Sequence, residues 1–255
     1  MKIGVCRDIK DLKMFDSSVV DYCEMSLTSI SEMSDEAIDE RVAIIRDTGI
    51  PVSCVNGFFP KEIPLCGPDM NEEQIKKYTE NALYKANKLG VKTLVLGSGK
   101  ARYIKDGWDK ELCLEQFERV CIIAGEIAAK YNMMVVIEPL ESAETNSINT
   151  VKEGADIVRH IDHPNVGLLC DVYHFESENE PIENILDNKD ILKHFHIANP
   201  NGRVFPKKDD AYDYTKVAKA LKEIGYEGKI SIEGKAQDFK NDLGESVTFL
   251  KEVFA

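Results

Sequence analysis

Eight short apolar runs recur along this 255-residue chain, and helical patterns lie between most of them. The runs are Lys2–Cys6, Tyr22–Leu27, Ile50–Val55, Lys92–Leu96, Met134–Glu138, Val166–Asp171, Leu192–Ile197 and Lys229–Glu233. Several are apolar at consecutive positions instead of alternating, as strands are when both faces of a parallel sheet are covered. Strands alternating with helices indicate an α/β fold. Eight repeats, in a length near the ~250 residues typical of a (β/α)8 barrel, point to that closed TIM barrel. No Gly/Ser-rich linker or compositional break divides the sequence, so one domain over residues 1–255 is expected.

Helix boundaries are marked by capping residues. Ser34 opens a helix whose Ile38, Val42 and Ile45 share a face, and Gly49 stops it. Asn71 opens a second, ended by Gly90; Asp109 opens a third that runs to about Asn132; Thr150 opens a fourth. Asp213 or Tyr214 opens the run closed by Gly225, and a last helix begins near Asn241. Short helices are expected in the first unit (Arg7–Asp16) and the sixth (Glu180–Asp187).

Four apolar runs end in a side chain of the metal-binding type: Glu138 in VVIEPL, Asp171 in VGLLCDVYHF, His196 in KHFHIANP and Glu233 in KISIEGK. In a parallel barrel all strand ends point to one mouth, so the four converge. Each alone has a duller explanation: an N-cap for Asp171, a strand end for Glu138, a core imidazole for His196, a surface ion pair for Glu233. Four coincidences at matching positions are far less economical than one metal centre. Three carboxylates and an imidazole suit one divalent ion, Mn²⁺, Mg²⁺ or Co²⁺. Such an ion acidifies a C–H beside a substrate carbonyl, and a carboxylate on each face then serves as acid and base.

The loops add further candidates. Glu144, His174 and Arg203 follow Glu138, Asp171 and His196 closely enough to reach the mouth. His194 shares a strand face with His196 and is expected one layer deeper, in the core. Trp108 is expected to pack, and Gly57-Phe58-Phe59-Pro60 to offer a sugar an apolar wall. Gly97-Ser98-Gly99-Lys100 lacks the spacing of a nucleotide phosphate loop and reads as an active-site loop.

Composition narrows the partners. A net charge of −13 and a pI near 4.9 disfavour nucleic acid and anionic membranes as partners. No run approaches the ~20 apolar residues of a membrane helix. MKIGVCRDIK reads as a first strand and not as a signal peptide. Seven cysteines without a CxxC read as reduced and buried, so a cytoplasmic protein is expected.

The segments GSGKAR, VVIEPLESAETNSINT, HPNVGLLCDVYHF, HFHIANPNGR and GYEGKISIEGK resemble the xylose-isomerase-like TIM-barrel superfamily of sugar phosphate isomerases and epimerases, above all its ketose 3-epimerase branch. The resemblance spans essentially the whole chain. It implies one divalent ion, usually manganese, on Glu138, Asp171, His196 and Glu233, with the two glutamates as the acid/base pair. It also implies that Glu144, His174 and Arg203 contact a small carbohydrate substrate. Members often form dimers or tetramers, so a homodimer or homotetramer is implied as well. Asn199 stands where many relatives have Asp. The loop carrying Arg203 is one residue longer than in typical ketose epimerases, nearer to hydroxypyruvate isomerases. The leading expectation is an epimerase or isomerase of a small keto sugar. A dehydratase or C-glycoside-cleaving lyase acting on a 3-keto sugar or keto-inositol is the alternative. An apurinic-site endonuclease is disfavoured by the acidic charge and by the lack of any histidine before His160.

Overall fold

The apolar runs become strands β1 (Lys2–Cys6), β2 (Tyr22–Ser26), β3 (Val52–Asn56), β4 (Thr93–Leu96), β5 (Met134–Ile137), β6 (Val166–Asp171), β7 (Leu192–Ile197) and β8 (Lys229–Ile232). This is seen in a computed structural model that describes residues 1–255. Each strand pairs in parallel with its sequence neighbours, and β1 pairs with β8 (Val5 opposite Ile232), so the sheet closes into an eight-stranded barrel. The expected TIM barrel is therefore present. Helices α1 (Leu27–Glu32), α2 (Asp35–Thr48), α3 (Glu72–Lys88), α4 (Lys110–Ala129), α5 (Val151–Ile161), α6 (Val172–Ser177), α7 (Glu183–Leu186), α8 (Thr215–Glu223) and α9 (Phe239–Val253) lie between and after the strands. A continuous apolar core joins both layers.

The capping residues act as expected. Ser34, Asn71 and Asp109 each accept a backbone N–H of the first turn, and Thr150 forms a reciprocal capping box with Glu153. Such caps stabilise a helix by about 1 kcal/mol each. Gly49 takes the left-handed conformation (φ 69°) that ends α2. Several details differ from the sequence reading. The face of α2 is rotated: Ile38, Arg41 and Ile44 are buried while Val42 is exposed, because Arg41 reaches Asp8 at 3.0 Å. α4 stops at Ala129, before Asn132, which adopts a positive φ. α9 starts at Phe239, where Asp238 caps it. α1 is too short to show a helical period, and Ser26 caps it directly at the end of β2. The first unit carries only a 3-10 turn, Ile9–Leu12.

All seven cysteines are free, and only Cys6 is not buried. No helix is long and apolar enough to cross a membrane.

Candidate active site and metal centre

Strands β5 to β8 deliver the four ligand candidates to one point. One ligand atom from each of Glu138, Asp171, His196 and Glu233 lies within 4.8 Å of the other three. Nδ1 of His196 is 3.1 Å from Oε1 of Glu138 and 3.3 Å from Oε2 of Glu233. Local backbone chemistry aims each side chain. Asp171 is both the last residue of β6 and the N-cap of α6: its Oδ1 accepts the Tyr173 N–H at 2.9 Å, leaving Oδ2 for the site. Thus the modest reading of Asp171 as a cap is also true, and it explains the orientation. The Glu233 N–H donates to the Ile197 carbonyl, and its Oε1 accepts from Asn56 Nδ2 at 2.9 Å. Glu138 projects into space that Gly97 leaves open; a Cβ at Gly97 would sit 2.3 Å from Oε2 of Glu138.

Gly97→Ala should therefore push the Glu138 carboxylate aside. Overpacking of this kind costs about 1–3 kcal/mol, and a misplacement near 1 Å lowers turnover about 10²-fold. Thermal denaturation and steady-state kinetics on the variant check both values. Unchanged turnover would show that the carboxylate has room to spare.

The electrostatics explain why these acids stay together. Burial pushes the Glu138 and Asp171 carboxyls above their usual range. Burial opposes ionisation of Glu233 too, but the His196 imidazolium and the Arg203 guanidinium outweigh it and hold that carboxyl down at about 2. Burial likewise opposes the charged form of His196, yet the Glu24 and Glu233 carboxylates raise it well above an ordinary imidazole. The cluster is short of positive charge, and the protein's own cations fill the gap. Arg203 Nη2 lies 2.6 Å from Oε2 of Glu233 and 3.2 Å from Oδ2 of Asp171, standing in for a cation. A hard or borderline divalent ion fits this set of oxygen donors plus one imidazole.

Glu144, His174 and Arg203 are also brought to the mouth. Arg203 Nη1 pairs with Oε1 of Glu144 at 3.1 Å, and its guanidinium stacks 4.7 Å above the Tyr173 ring. Nδ1 of His174 accepts the Glu141 N–H at 3.1 Å, so neutral His174 carries its proton on Nε2, 3.6 Å from Oδ2 of Asp171. The Arg203 loop is tied down by the N–H of Asn199 on the Val204 carbonyl and of Lys235 on the Arg203 carbonyl. Asn199 Oδ1 accepts the Asn201 N–H, so this side chain shapes the loop.

Two clefts open beside the ligands, along the β1–β4 side of the barrel mouth, and reach Glu233 at one end and Glu144 at the other. One, of about 330 Å³, is lined by Cys6, Arg7, Glu24, Ser26, Asn56 and Glu233. The other, of about 510 Å³, is lined by Phe59, Lys61, Ser98, Lys100 and Glu144. Phe59 borders the second cleft, although like Phe58 it is buried in the apolar core. The glycine loop at 97–100 does border the site. Trp108 packs, its ring filling the place of a Gly67 side chain.

Sequence reasoning missed Glu24 and Asn56. Glu24 is 1% exposed in the middle of β2 and hydrogen-bonds both His194 and His196 at 2.9 Å. A glutamate inside an apolar run is rarely buried unless paired, and that was the available signal. His194 is buried as expected, but its Nε2 is engaged by Glu24 instead of merely packing.

The model of the xylose isomerase-like TIM barrel family matches residues 18–253. The chain belongs to that family. Within it, a 3-dehydro-D-guloside 4-epimerase of Escherichia coli K12 is 25% identical, over 84% of this chain and 84% of its own length. A D-psicose 3-epimerase of Ruminiclostridium cellulolyticum is 26% identical, over 84% of this chain and 73% of its own length. A crystal structure of D-psicose 3-epimerase with D-tagatose from Clostridium cellulolyticum H10 superposes with a TM-score of 0.87 at 21% identity, covering 100% of this chain and 99% of that one. The xylose isomerase-like fold thus extends over the whole chain.

Proposed function

We propose that this chain is an epimerase or isomerase of a small keto sugar or sugar derivative, dependent on one divalent cation held by Glu138, Asp171, His196 and Glu233. The observation that carries the reading is the pair of carboxylates from β5 and β8, which flank His196 Nδ1 at 3.1 and 3.3 Å. The family's curated relatives named as sugar epimerases support it. A cation in this set, Mn²⁺ first, supplies charge that polarises a neighbouring carbonyl and makes the adjacent C–H more acidic.

The chain's own groups do the rest. One glutamate takes the proton from the acidified carbon, and the other returns a proton from the opposite side. Return to the same carbon is epimerisation; return to the adjacent carbon is aldose–ketose isomerisation. His174 offers an Nε2–H to a substrate oxygen, while Arg203 and Glu144 hold hydroxyls from the loop side. The Phe59 ring covers an apolar face of the sugar.

The test is mass-resolved product analysis after incubating Mn²⁺-loaded protein with ketoses, ketose phosphates and 3-keto glycosides. The proposal expects a product of mass equal to the substrate, with solvent deuterium incorporated at one carbon. A product lighter by one water, or a released aglycone, would instead establish the lyase reading.

A further inference from the structure

His196 faces the candidate metal centre through Nδ1, which leaves Nε2 for the barrel interior. Nε2 lies 2.9 Å from Oε1 of Glu24, a residue of β2 that is outside the ligand set. The other oxygen of Glu24 is also held: Oε2 is 2.9 Å from Nε2 of His194 and accepts the Ser231 hydroxyl at 2.6 Å. Ser231 Oγ in turn lies 2.7 Å from the Tyr22 hydroxyl. Tyr22 reaches it because Gly4 has no side chain; a Cβ there would stand 2.3 Å from the Tyr22 ring. Glu24, His194, His196 and Ser231 are all at most 1% exposed. The network therefore crosses the barrel from β2 to β7 and β8.

A carboxylate has no proton to give, so both imidazole nitrogens facing it are donors. With Oε2 pinned by two donors, Oε1 is left for His196 alone. We propose that Glu24 is a positioning residue: by accepting the Nε2–H of His196 it fixes the tautomer and ring orientation that turn the Nδ1 lone pair toward the cation. This rests on the cation-dependent reading above. A role in folding alone would not need one oxygen of Glu24 kept for the Nε2–H of the residue whose Nδ1 faces the carboxylate cluster. Partners of this kind behind a metal-binding histidine set its basicity and direction.

Glu24→Gln tests the point. The amide has one acceptor, so its NH2 must face either His196 or the His194–Ser231 pair. Facing His196, it would draw the proton onto Nδ1 and block ligation. Titration of the full chain with Mn²⁺, followed by calorimetry or by the resonance of free Mn²⁺, should show about 10–100-fold weaker binding in Glu24→Gln. Because the amide sets a buried donor against a donor, the cation-free variant should melt below the wild-type temperature, so binding is compared on protein shown to be folded. Ser231→Ala, which keeps the Glu24–His196 bond, should weaken Mn²⁺ binding less than Glu24→Gln does. A folded Glu24→Gln protein that binds Mn²⁺ within twofold of wild type would overturn the role. So would equal losses in the two variants. Should Glu24→Gln not fold, long-range proton–nitrogen spectra of the wild-type chain loaded with Zn²⁺ decide. A proton on Nε2 of His196 supports the proposal, and one on Nδ1 overturns it. Wild-type protein that binds no divalent cation defeats both this role and the cation-dependent reading; wild-type binding with Glu24→Gln unaffected defeats only the role.

Discussion

Glutamine in place of Glu138 should lower turnover by about 10²–10⁴-fold with a divalent cation still bound. The amide keeps an oxygen ligand but takes no proton, so binding and proton transfer separate. Position 138 gives the cleaner experiment. Oε1 faces His196 Nδ1 and Oε2 faces the open space above Gly97, so the NH2 group meets no donor if it takes the Oε2 place. The loss should therefore fall on kcat, with KM little changed. Glu233→Gln should lose as much turnover and raise KM as well. Both its oxygens already accept hydrogen bonds, from Asn56 Nδ2 and Arg203 Nη2, so either orientation of the amide sets donor against donor. Arg203 would shift, and with it the loop that holds the substrate. Steady-state kinetics beside cation content by elemental analysis measure both effects. Turnover within tenfold of wild type in either loaded variant would remove that residue from the acid/base pair.

Stripping the divalent cation with a chelator should abolish turnover reversibly. Lewis-acid stabilisation of several kcal/mol corresponds to about 10²–10⁴-fold in rate at ~1.4 kcal/mol per decade. The fold should survive. The core is apolar and continuous, and Arg203 already bridges Glu233 and Asp171. Melting should shift down only by the linkage term, about 2.7 kcal/mol when the cation had been present at 100 times its Kd. Added Mn²⁺ should restore rate and melting temperature together. Full turnover in protein shown by elemental analysis to carry far less than one cation per chain would refute cation dependence.

The barrel was legible because its signals are local and repeated. The run Val166–Asp171 coincides with β6, which is buried along its whole length, and Leu192–Ile197 coincides with β7 even though Lys193 is exposed. Caps such as Thr150 were legible because a side chain three residues from its partner N–H needs no tertiary knowledge. What escaped depends on distant partners. Arg41 turns the face of α2 through its contact with Asp8, 33 residues away. Glu24 meets His196 across 172 residues, and Asn56 meets Glu233 across 177. Strand-end residues announce themselves by position. Of the residues that aim them, Glu24 sits inside a strand, where an odd charge in an apolar run hints at it, whereas Asn56 ends its strand and carries no charge.

Four consecutive strands, β5 to β8, deliver Glu138, Asp171, His196 and Glu233, while the clefts spread from β8 round through β3 to the loop after β5. Reactivity and recognition thus meet at Glu233, His174, Arg203 and Glu144, while the arc from β1 to β4 carries cleft walls and none of the four ligands. Loops after β3 and β4 can lengthen, shorten or change charge without carrying any of the four ligands with them. A scaffold divided in this way can move to new sugars through small edits on one flank, keeping its chemistry intact while it does so.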